Sequence, residues 1–192
     1  LIVPSSSEES LKRALNTIQS SYGAPGGFIY QHRQNVDDAA QLGLLLMLAT
    51  HASPYVKQTI NGGRTFFLTV SRMNGSLGFG ESPQGSIQKT LEGALFGLAK
   101  TLDHEWKDVL CRGIDIAQGV DARLAAQYIR QEVSDPNRLT REVGYSADGQ
   151  RRTTRASDLL VPTAENEVKQ NFAISSNDAF IVTGGARGIT PL

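Results

Sequence analysis

A glycine-rich turn near the end of the chain has the residue types best suited to binding a nucleotide. Residues 179–182 (Ala-Phe-Ile-Val) predict a buried strand, and it runs directly into Thr183-Gly184-Gly185-Ala186-Arg187-Gly188-Ile189-Thr190. Glycines placed straight after a strand let backbone N–H groups and the start of a helix approach a pyrophosphate. The sequence therefore predicts a phosphate-binding turn over residues 183–189.

Histidine and cysteine give little support to other chemistry. His104-Glu105 opens a zinc-site pattern, but no second histidine completes His-Glu-x-x-His. His32 and His51 are isolated and are predicted to be structural. The single cysteine excludes an internal disulfide and predicts a buried thiol in a reducing compartment, with the cytoplasm as the default location.

The elements that must position such a turn are organised around a long amphipathic helix. Its apolar residues recur at three- and four-residue steps: Ile87, Leu91, Ala94, Leu95, Leu98, Leu102 and Trp106. A second stripe of small residues, Thr90, Gly93, Gly97 and Thr101, predicts close approach by another backbone. A short buried strand over 111–116 follows, and a helix running into a buried strand is half of a βαβ unit.

The rest of the chain extends this alternation. Helices are predicted over 6–22, 36–51 and 120–133, and strands over 27–30 and 65–71. A hairpin is predicted with Asp148-Gly149 at its turn. Helix 36–51 is apolar nearly all round and is predicted to end at Pro54. It should pack on the sheet with one side and on a neighbouring domain or second subunit with the other.

Composition excludes two classes of partner. Lysine plus arginine equals aspartate plus glutamate at 19 each, so nothing favours nucleic acid or an anionic membrane surface. The longest apolar run, 44–49, is far too short to span a bilayer. The chain opens on Leu1-Ile2-Val3 without a methionine, so we expect the end of a strand and a piece of a longer protein.

Strand 65–71 and the helix after it resemble the second half of a short-chain dehydrogenase/reductase. That family ends this strand in a catalytic serine and opens the helix with Tyr-x-x-x-Lys. Ser71 and Lys89 stand at matching positions, but Gly85 replaces the tyrosine, and without it no acid protonates a carbonyl during hydride transfer. The turn at 183–189 is similar to the family's cofactor turn and departs only at Thr190, where the family usually has glycine.

The whole chain resembles the ketoreductase domains of modular polyketide synthases and of polyunsaturated fatty acid synthases. The residues that carry this resemblance are 27–30 (GFIY), 71–75 (SRMNG), 93–106 (GALFGLAKTLDHEW), 111–116 (CRGIDI), 142–145 (EVGY) and 182–189 (VTGGARGI). It implies an α/β fold: a truncated Rossmann-like parallel sheet with helices on both faces and a terminal β-hairpin. Residues 1–156 would be a catalytically silent structural subdomain, 157–177 a linker, and 178–192 the start of the catalytic subdomain.

The resemblance also implies an activity and its partners. The complete domain would reduce 3-oxoacyl groups on an acyl carrier protein with NADPH, in contact with its catalytic subdomain and other synthase domains. Its cofactor-binding residues here would be Thr183, Gly184, Gly185, Arg187, Gly188 and Ile189, with Arg187 facing the 2′-phosphate. The family's catalytic residues would lie beyond Leu192, so this chain alone is expected neither to bind NADPH nor to catalyse.

Two other functions stay open from the sequence. A stand-alone nucleotide-binding Rossmann-like protein should carry glycines after its first strand, but Leu1-Ile2-Val3 is followed by Pro4 and three serines. A protein-interaction or dimerisation module would present helix residues 42–48 to a partner.

Overall fold

The computed structural model describes residues 7–33, 38–79 and 87–156, together with Ser175, and for 38, 61 and 87–91 it describes the backbone alone. The chain divides into two compact units, Leu1–Arg155 and Ala156–Leu192. Apart from Ala156 and Ser175 the second unit lies outside the described residues. The predictions of a linker over 157–177 and of a strand and glycine turn over 178–192 therefore stay predictions.

The first unit is built on a five-stranded sheet, which confirms the predicted α/β, Rossmann-like class. Its strands are β1 (Gly27–Gln31), β2 (Phe66–Ser71), β3 (Leu110–Ile116), β4 (Glu142–Tyr145) and β5 (Arg151–Arg152). They lie side by side in chain order. The first four are parallel, and β5 pairs antiparallel with β4 through the predicted Asp-Gly hairpin, where Gly149 has φ +81°.

The helices are α1 (Glu8–Tyr22), α2 (Asp38–Thr59), α3 (Ile87–Glu105) and α4 (Ala122–Ser134). Side-chain caps fix two of their starts, since Ser7 accepts from the N–H of Ser10 and Asp121 from that of Leu124. The first cap lies one residue after position 6, where this helix was predicted to begin. On α3 the predicted stripe is buried at Leu95 and Leu102, and Trp106 is buried just after the helix, but Ala94 is exposed.

Helices cover both faces of the sheet. On one face α2 and α3 pack through Leu45, Val56 and Leu102 on Phe67 of β2, whose ring meets Trp106 edge-on with centroids 5.6 Å apart. On the other face α4 packs on the even-numbered residues of β2 and β3 and on β4, and Tyr128 stacks on Tyr145 at 4.0 Å. The strands therefore bury both of their faces, as parallel strands usually do.

The prediction that Pro54 ends the second helix is wrong. Helix α2 continues to Thr59 with Pro54 inside it. Proline costs the helix one backbone hydrogen bond, to the carbonyl four residues earlier. Ala52 and Val56, on either side of it, are fully buried, so packing on the core holds the helix together past this break.

The prediction that Gly93 and Gly97 form a close-packed stripe is also wrong for the described part of the chain. Both glycines are exposed, and a Cβ built on either would meet no described atom within 4 Å. Thr101, one turn further on, is exposed as well. The helix turns this stripe of small residues away from the sheet and presents it at the surface.

Candidate functional site: the carboxyl edge of the sheet

The loop that follows β2 lies at the carboxyl ends of the strands, which is where parallel α/β sheets bind ligands. It is held by Asp115, a fully buried carboxylate near the end of β3. Oδ1 of Asp115 accepts from the N–H of Met73 at 2.9 Å, and Oδ2 accepts from the N–H of Leu77, also at 2.9 Å. Two backbone N–H groups of this loop are thus already used by the carboxylate of Asp115.

Ser71, which the resemblance places at a catalytic serine position, belongs to the same cluster. Its side chain is fully buried, and its hydroxyl donates to Oδ1 of Asp115 at 3.3 Å. A hydroxyl in this position stabilises the β2–β3 junction and does not face a substrate. The side chain of Lys89 and residue Gly85 lie outside the described residues.

Two glycines bring the loop and β4 into direct backbone contact. A Cβ on Gly75 would lie 2.1 Å from the carbonyl oxygen of Tyr145, and one on Gly144 would lie 2.3 Å from that of Gly75. Gly75 also has φ +70°, in the left-handed region that favours glycine. The loop is therefore seated against β4 with no room for a side chain between them.

Polar side chains fix the rest of the loop. Oδ1 of Asn74 accepts from the N–H groups of Ser76 (2.9 Å) and Gly78 (3.2 Å). Arg72 donates to the carbonyl oxygens of Gln118 (3.0 Å) and Val120 in the turn after β3. The loop over 72–78 is therefore fixed internally by Asn74 and tied by Arg72 to the turn after β3.

The described part of this edge, at the ends of β2 and β3, does not fit a pyrophosphate. A pyrophosphate needs free N–H groups and compensating positive charge. Here a buried carboxylate takes the N–H groups of Met73 and Leu77, and Arg72 is directed to carbonyl oxygens. Among the described residues, the loop after β2 therefore offers no site for the pyrophosphate of the cofactor expected for the family.

A second charged cluster is buried beneath α4. Arg112 of β3 has 0% exposure and donates to Glu132 and to Asp135, at 2.9 Å for the latter. Its remaining N–H groups donate to the carbonyl oxygens of Asn137 and Thr140. Arg151 of β5 adds two bonds to Glu132, at 2.7 and 3.0 Å. Two positive and two negative charges balance, and they join β3, α4 and the hairpin.

The cluster shifts the pKa values of its members. Burial alone would raise the pKa of Glu132, but hydrogen bonds from Arg151 and Tyr145 and the charges of Arg151 and Arg112 outweigh it and lower that pKa. Burial and the bond to Glu132 raise the pKa of Tyr145. Every partner is used within the cluster, so its role is structural.

The other predicted groups are also inert where the structure describes them. Burial raises the pKa of the Cys111 thiol to about 12, which suits a buried structural thiol. His104 and Glu105 are exposed, and no group of three or more metal-ligating side chains occurs in the described ranges. Within the same ranges, no helix is long and apolar enough to cross a bilayer. Thr183, Gly184, Gly185, Arg187, Gly188 and Ile189 lie outside the described residues, so their predicted cofactor contacts stay a prediction.

Sequence reasoning named neither Asp115 nor Arg112 as an organising residue. The available signal was two charged residues inside the apolar strand sequence Cys-Arg-Gly-Ile-Asp-Ile. A charge inside a strand buried on both faces must be paired, and its partners come from distant parts of the chain.

Three comparisons relate the chain to known proteins. No protein-family model matches it. Among solved structures it overlaps an aldohexose dehydrogenase from Thermoplasma acidophilum, with TM-score 0.45, 17% identity, and 69% of this chain and 56% of that one covered. A gluconate 5-dehydrogenase from Burkholderia cenocepacia J2315, solved with NADP and tartrate, gives TM-score 0.42 and 14% identity over 66% and 57% of the two chains.

The sequence relation is much stronger. The chain is 38% identical over 189 residues to a polyunsaturated fatty acid synthase subunit from Thraustochytrium sp. (strain ATCC 26185 / S-3). The match covers 97% of this chain and only 6% of the length of that subunit. The chain is therefore homologous to one segment of a polyunsaturated fatty acid synthase, which confirms the resemblance to these synthases seen in the residues.

Proposed function

We propose that this chain is the structural part of an NADPH-dependent ketoreductase that reduces 3-oxoacyl groups on an acyl carrier protein within a multifunctional synthase. The observation that carries the proposal is the hydrogen bonding of the loop after β2 to Asp115. Asp115 and the loop over 72–78 use backbone N–H groups at the carboxyl ends of β2 and β3, the edge at which parallel α/β sheets bind ligands. A sheet closed in this way supports a neighbouring catalytic unit and does not turn over substrate.

In this proposal the cofactor binds the glycine turn of the second unit once that unit is complete. Thr183, Gly184, Gly185, Gly188 and Ile189 would place backbone N–H groups against the pyrophosphate, and Arg187 would pair with the 2′-phosphate. NADPH would supply the hydride. The turn needs the helix that follows it, because the helix start provides both the dipole and the fixed geometry.

In this proposal the outward face of α2 and α3 is a docking surface for another domain of the synthase. Leu46 of α2 is 56% exposed, and Gly93, Ala94 and Gly97 of α3 are exposed as well. Small and apolar residues on two adjacent helices let another pair of helices approach closely. The charge of Lys100, at the margin of this face, is neutralised by an ion pair with Glu142 at 3.0 Å. The catalytic subdomain and the acyl carrier protein would be further partners.

Oxidation of NADPH in the presence of a 3-oxoacyl thioester tests whether catalysis requires the segment that follows this chain in the relative. The isolated chain should show no turnover, whereas the chain extended by the segment that follows the matched region in the Thraustochytrium protein should be active. The matched control is Lys89→Ala in both proteins, which should change neither rate. Turnover by the isolated chain that Lys89→Ala abolishes would show that the first unit is itself catalytic.

The docking face is tested by Gly97→Arg. A Cβ at this position meets no described atom, so the substitution should leave the isolated chain folded. It should weaken the activity of the extended protein, while Gln127→Arg on the exposed side of α4 should not. Equal activity of both variants would contradict the assignment of this face.

A dimerisation module is the second candidate, favoured by the same exposed face. If two copies of this chain use it, the isolated chain should sediment as a dimer and Gly97→Arg should make it a monomer. A monomer at all concentrations would rule out this second candidate.

A further inference from the structure

An apolar groove of about 720 Å³ lies between α1, α2 and β1. Its walls include Leu11, Ala14 and Ile18 of α1, Leu48 of α2 and Phe28 of β1. Pockets that bind small ligands are mostly apolar and measure roughly 300–1,000 Å³. None of the described residues that line the groove belongs to the loop over 72–78. The groove therefore has the size and lining of a ligand site, and it is distinct from the cluster around Asp115.

The groove runs along β1. Nε2 of His51 in α2 is 3.0 Å from Oε1 of Glu8 in α1, and Tyr55 donates to Asn16 at 3.4 Å, so the two helices lie side by side and run in the same direction. Because α2 connects two parallel strands, both helices run opposite to β1. The five residues of β1 extend over about 16 Å. An extended chain molecule therefore fits between the helices and the strand.

One end of the groove carries a positive charge. Arg33 lies two residues beyond the end of β1 and is exposed, and it lines the groove. The buried side chain of Gln41 fixes its backbone, since Oε1 accepts from the Arg33 N–H and Nε2 donates to the Arg33 carbonyl oxygen, both at 2.7 Å. Glu8, the first residue of α1, already pairs with Lys12 at 2.6 Å. The apolar walls are thus combined with a guanidinium whose backbone is held in place.

We propose that this groove binds a long-chain fatty acid, with the alkyl chain along β1 and the carboxylate at Arg33. The alkyl chain gains from leaving water for the apolar walls. The guanidinium forms charge-assisted hydrogen bonds with a carboxylate. A ligand that is apolar along its length and anionic at one end matches both features.

An extended peptide would match the groove less well. The carbonyl oxygen of Gly26 accepts from the N–H of Phe66 in β2. Because the two sides of a strand alternate, Gly27, Ile29 and Gln31 are the residues of β1 that direct N–H and C=O groups to the outer edge. Each hydrogen bond to a peptide there would replace one to water and add little. Ile29 and Gln31 are exposed, so their backbone groups can stay hydrated beside a bound alkyl chain.

Titration calorimetry of the full 192-residue chain with octanoate, decanoate and dodecanoate tests the proposal. One site should be found, and its affinity should rise about fourfold for each added methylene, the factor expected when one methylene is buried. Decanol should bind more weakly than decanoate, because it lacks the charge. Binding needs neither NADPH nor a catalytic subdomain, so the result does not depend on the proposed ketoreductase role.

Two variants separate the apolar walls from the charge. Ala14→Phe places a ring in the groove from a half-buried position and should weaken decanoate binding at least about tenfold. Its matched control is Ala126→Phe on the exposed side of α4, which adds the same apolar group and should change nothing. Arg33→Gln should weaken decanoate binding about fivefold, as for an exposed ion pair, and leave decanol binding unchanged. Arg13→Gln, on the exposed side of α1, should affect neither ligand.

Four results would overturn the assignment. The first is no saturable binding of any of the three carboxylates. The second is binding that Ala14→Phe leaves intact or that Ala126→Phe weakens equally. The third is equal affinity for decanoate and decanol in the unaltered chain. The fourth is sedimentation of the chain as a dimer that Ala14→Phe converts to a monomer, which would give the groove to a second copy.

Discussion

The two faces of the sheet are held by different physical means. The face under α2 and α3 is apolar, with Phe67, Leu95 and Trp106 packed together and buried. The face under α4 combines apolar side chains with a fully buried Arg112 and a Glu132 that is 1% exposed. The stability of the first face comes from burial of apolar side chains, whereas the stability of the second also requires a hydrogen-bond partner for each buried polar group.

This difference predicts where the molecule tolerates change. An apolar face can repack around a substitution of similar volume. A buried ion pair is often no more stabilising than apolar residues of the same size, but removing one partner leaves a charge without compensation. The α4 face should therefore respond more sharply to single polar substitutions, and its response should depend on pH.

The largest effect is expected from Glu132→Ala. It leaves Arg112 buried with only Asp135 as a charged partner and takes two bonds from Arg151, so the free energy of unfolding should fall by about 3–5 kcal/mol. Urea unfolding measures it. Glu132→Gln, which keeps the volume, separates the loss of charge from the loss of packing. A loss below about 1 kcal/mol for the alanine variant would show that the cluster is solvated, contrary to its burial.

Acid should reduce the stabilisation that the charged cluster gives to the α4 face and leave the apolar face unchanged. Because the pKa of Glu132 is lowered in the folded state, its stabilisation is present above the ordinary carboxyl value and is lost as the pH falls through the lowered one. The difference in unfolding free energy between wild type and Glu132→Gln should therefore shrink on acidification. The loss caused by Leu95→Ala, about 2–5 kcal/mol on the apolar face, should not change. Urea unfolding of the wild type and both variants at neutral and acid pH measures the two differences in unfolding free energy.

A smaller effect is expected from Gly113→Ala in β3, beneath α3. The new Cβ would lie 2.3 Å from the ring of Phe96, so the ring must move and the change should cost about 1–3 kcal/mol. Phe96→Leu in the same background should recover part of that loss by making room. Thermal unfolding of the Gly113→Ala variant and of the double variant measures the loss and its recovery. A double variant no more stable than Gly113→Ala alone would argue against the clash.

The smallest effect, and the opposite sign, is expected from Gly97→Ala on the outer side of α3. The added methyl meets no described atom, and alanine favours a helix over glycine by about 0.5–1 kcal/mol. The isolated chain should therefore melt at a higher temperature. A lower melting temperature would mean that the stripe is covered in this chain, as the sequence alone had suggested.

The sequence predicted the kinds and order of the elements because helix and strand periods are local. Strands around Phe67 and Cys111 and the helix around Leu95 are all present with shifts of a few residues at most at their ends. The end of α2 was predicted wrongly at Pro54, because the helix continues through the burial of Val56, and this burial depends on tertiary packing.

The candidate site was less predictable for the same reason. Periodicity shows that Gly93 and Gly97 share a face, but not what covers that face. Asp115 binds a loop about forty residues away, and Arg112 reaches Glu132 and Asn137 across other elements. Such contacts leave no local pattern beyond a charge in an apolar strand.

The strand order has a consequence for synthesis of the chain. Each strand of the described sheet pairs with the strand before it, from β1 to β5. None has to be inserted between two strands already paired, so the sheet can grow in one direction as the polypeptide leaves the ribosome. In a polypeptide as long as the Thraustochytrium subunit, of which the match covers 6%, a module of this kind can fold without waiting for a distant part of the chain.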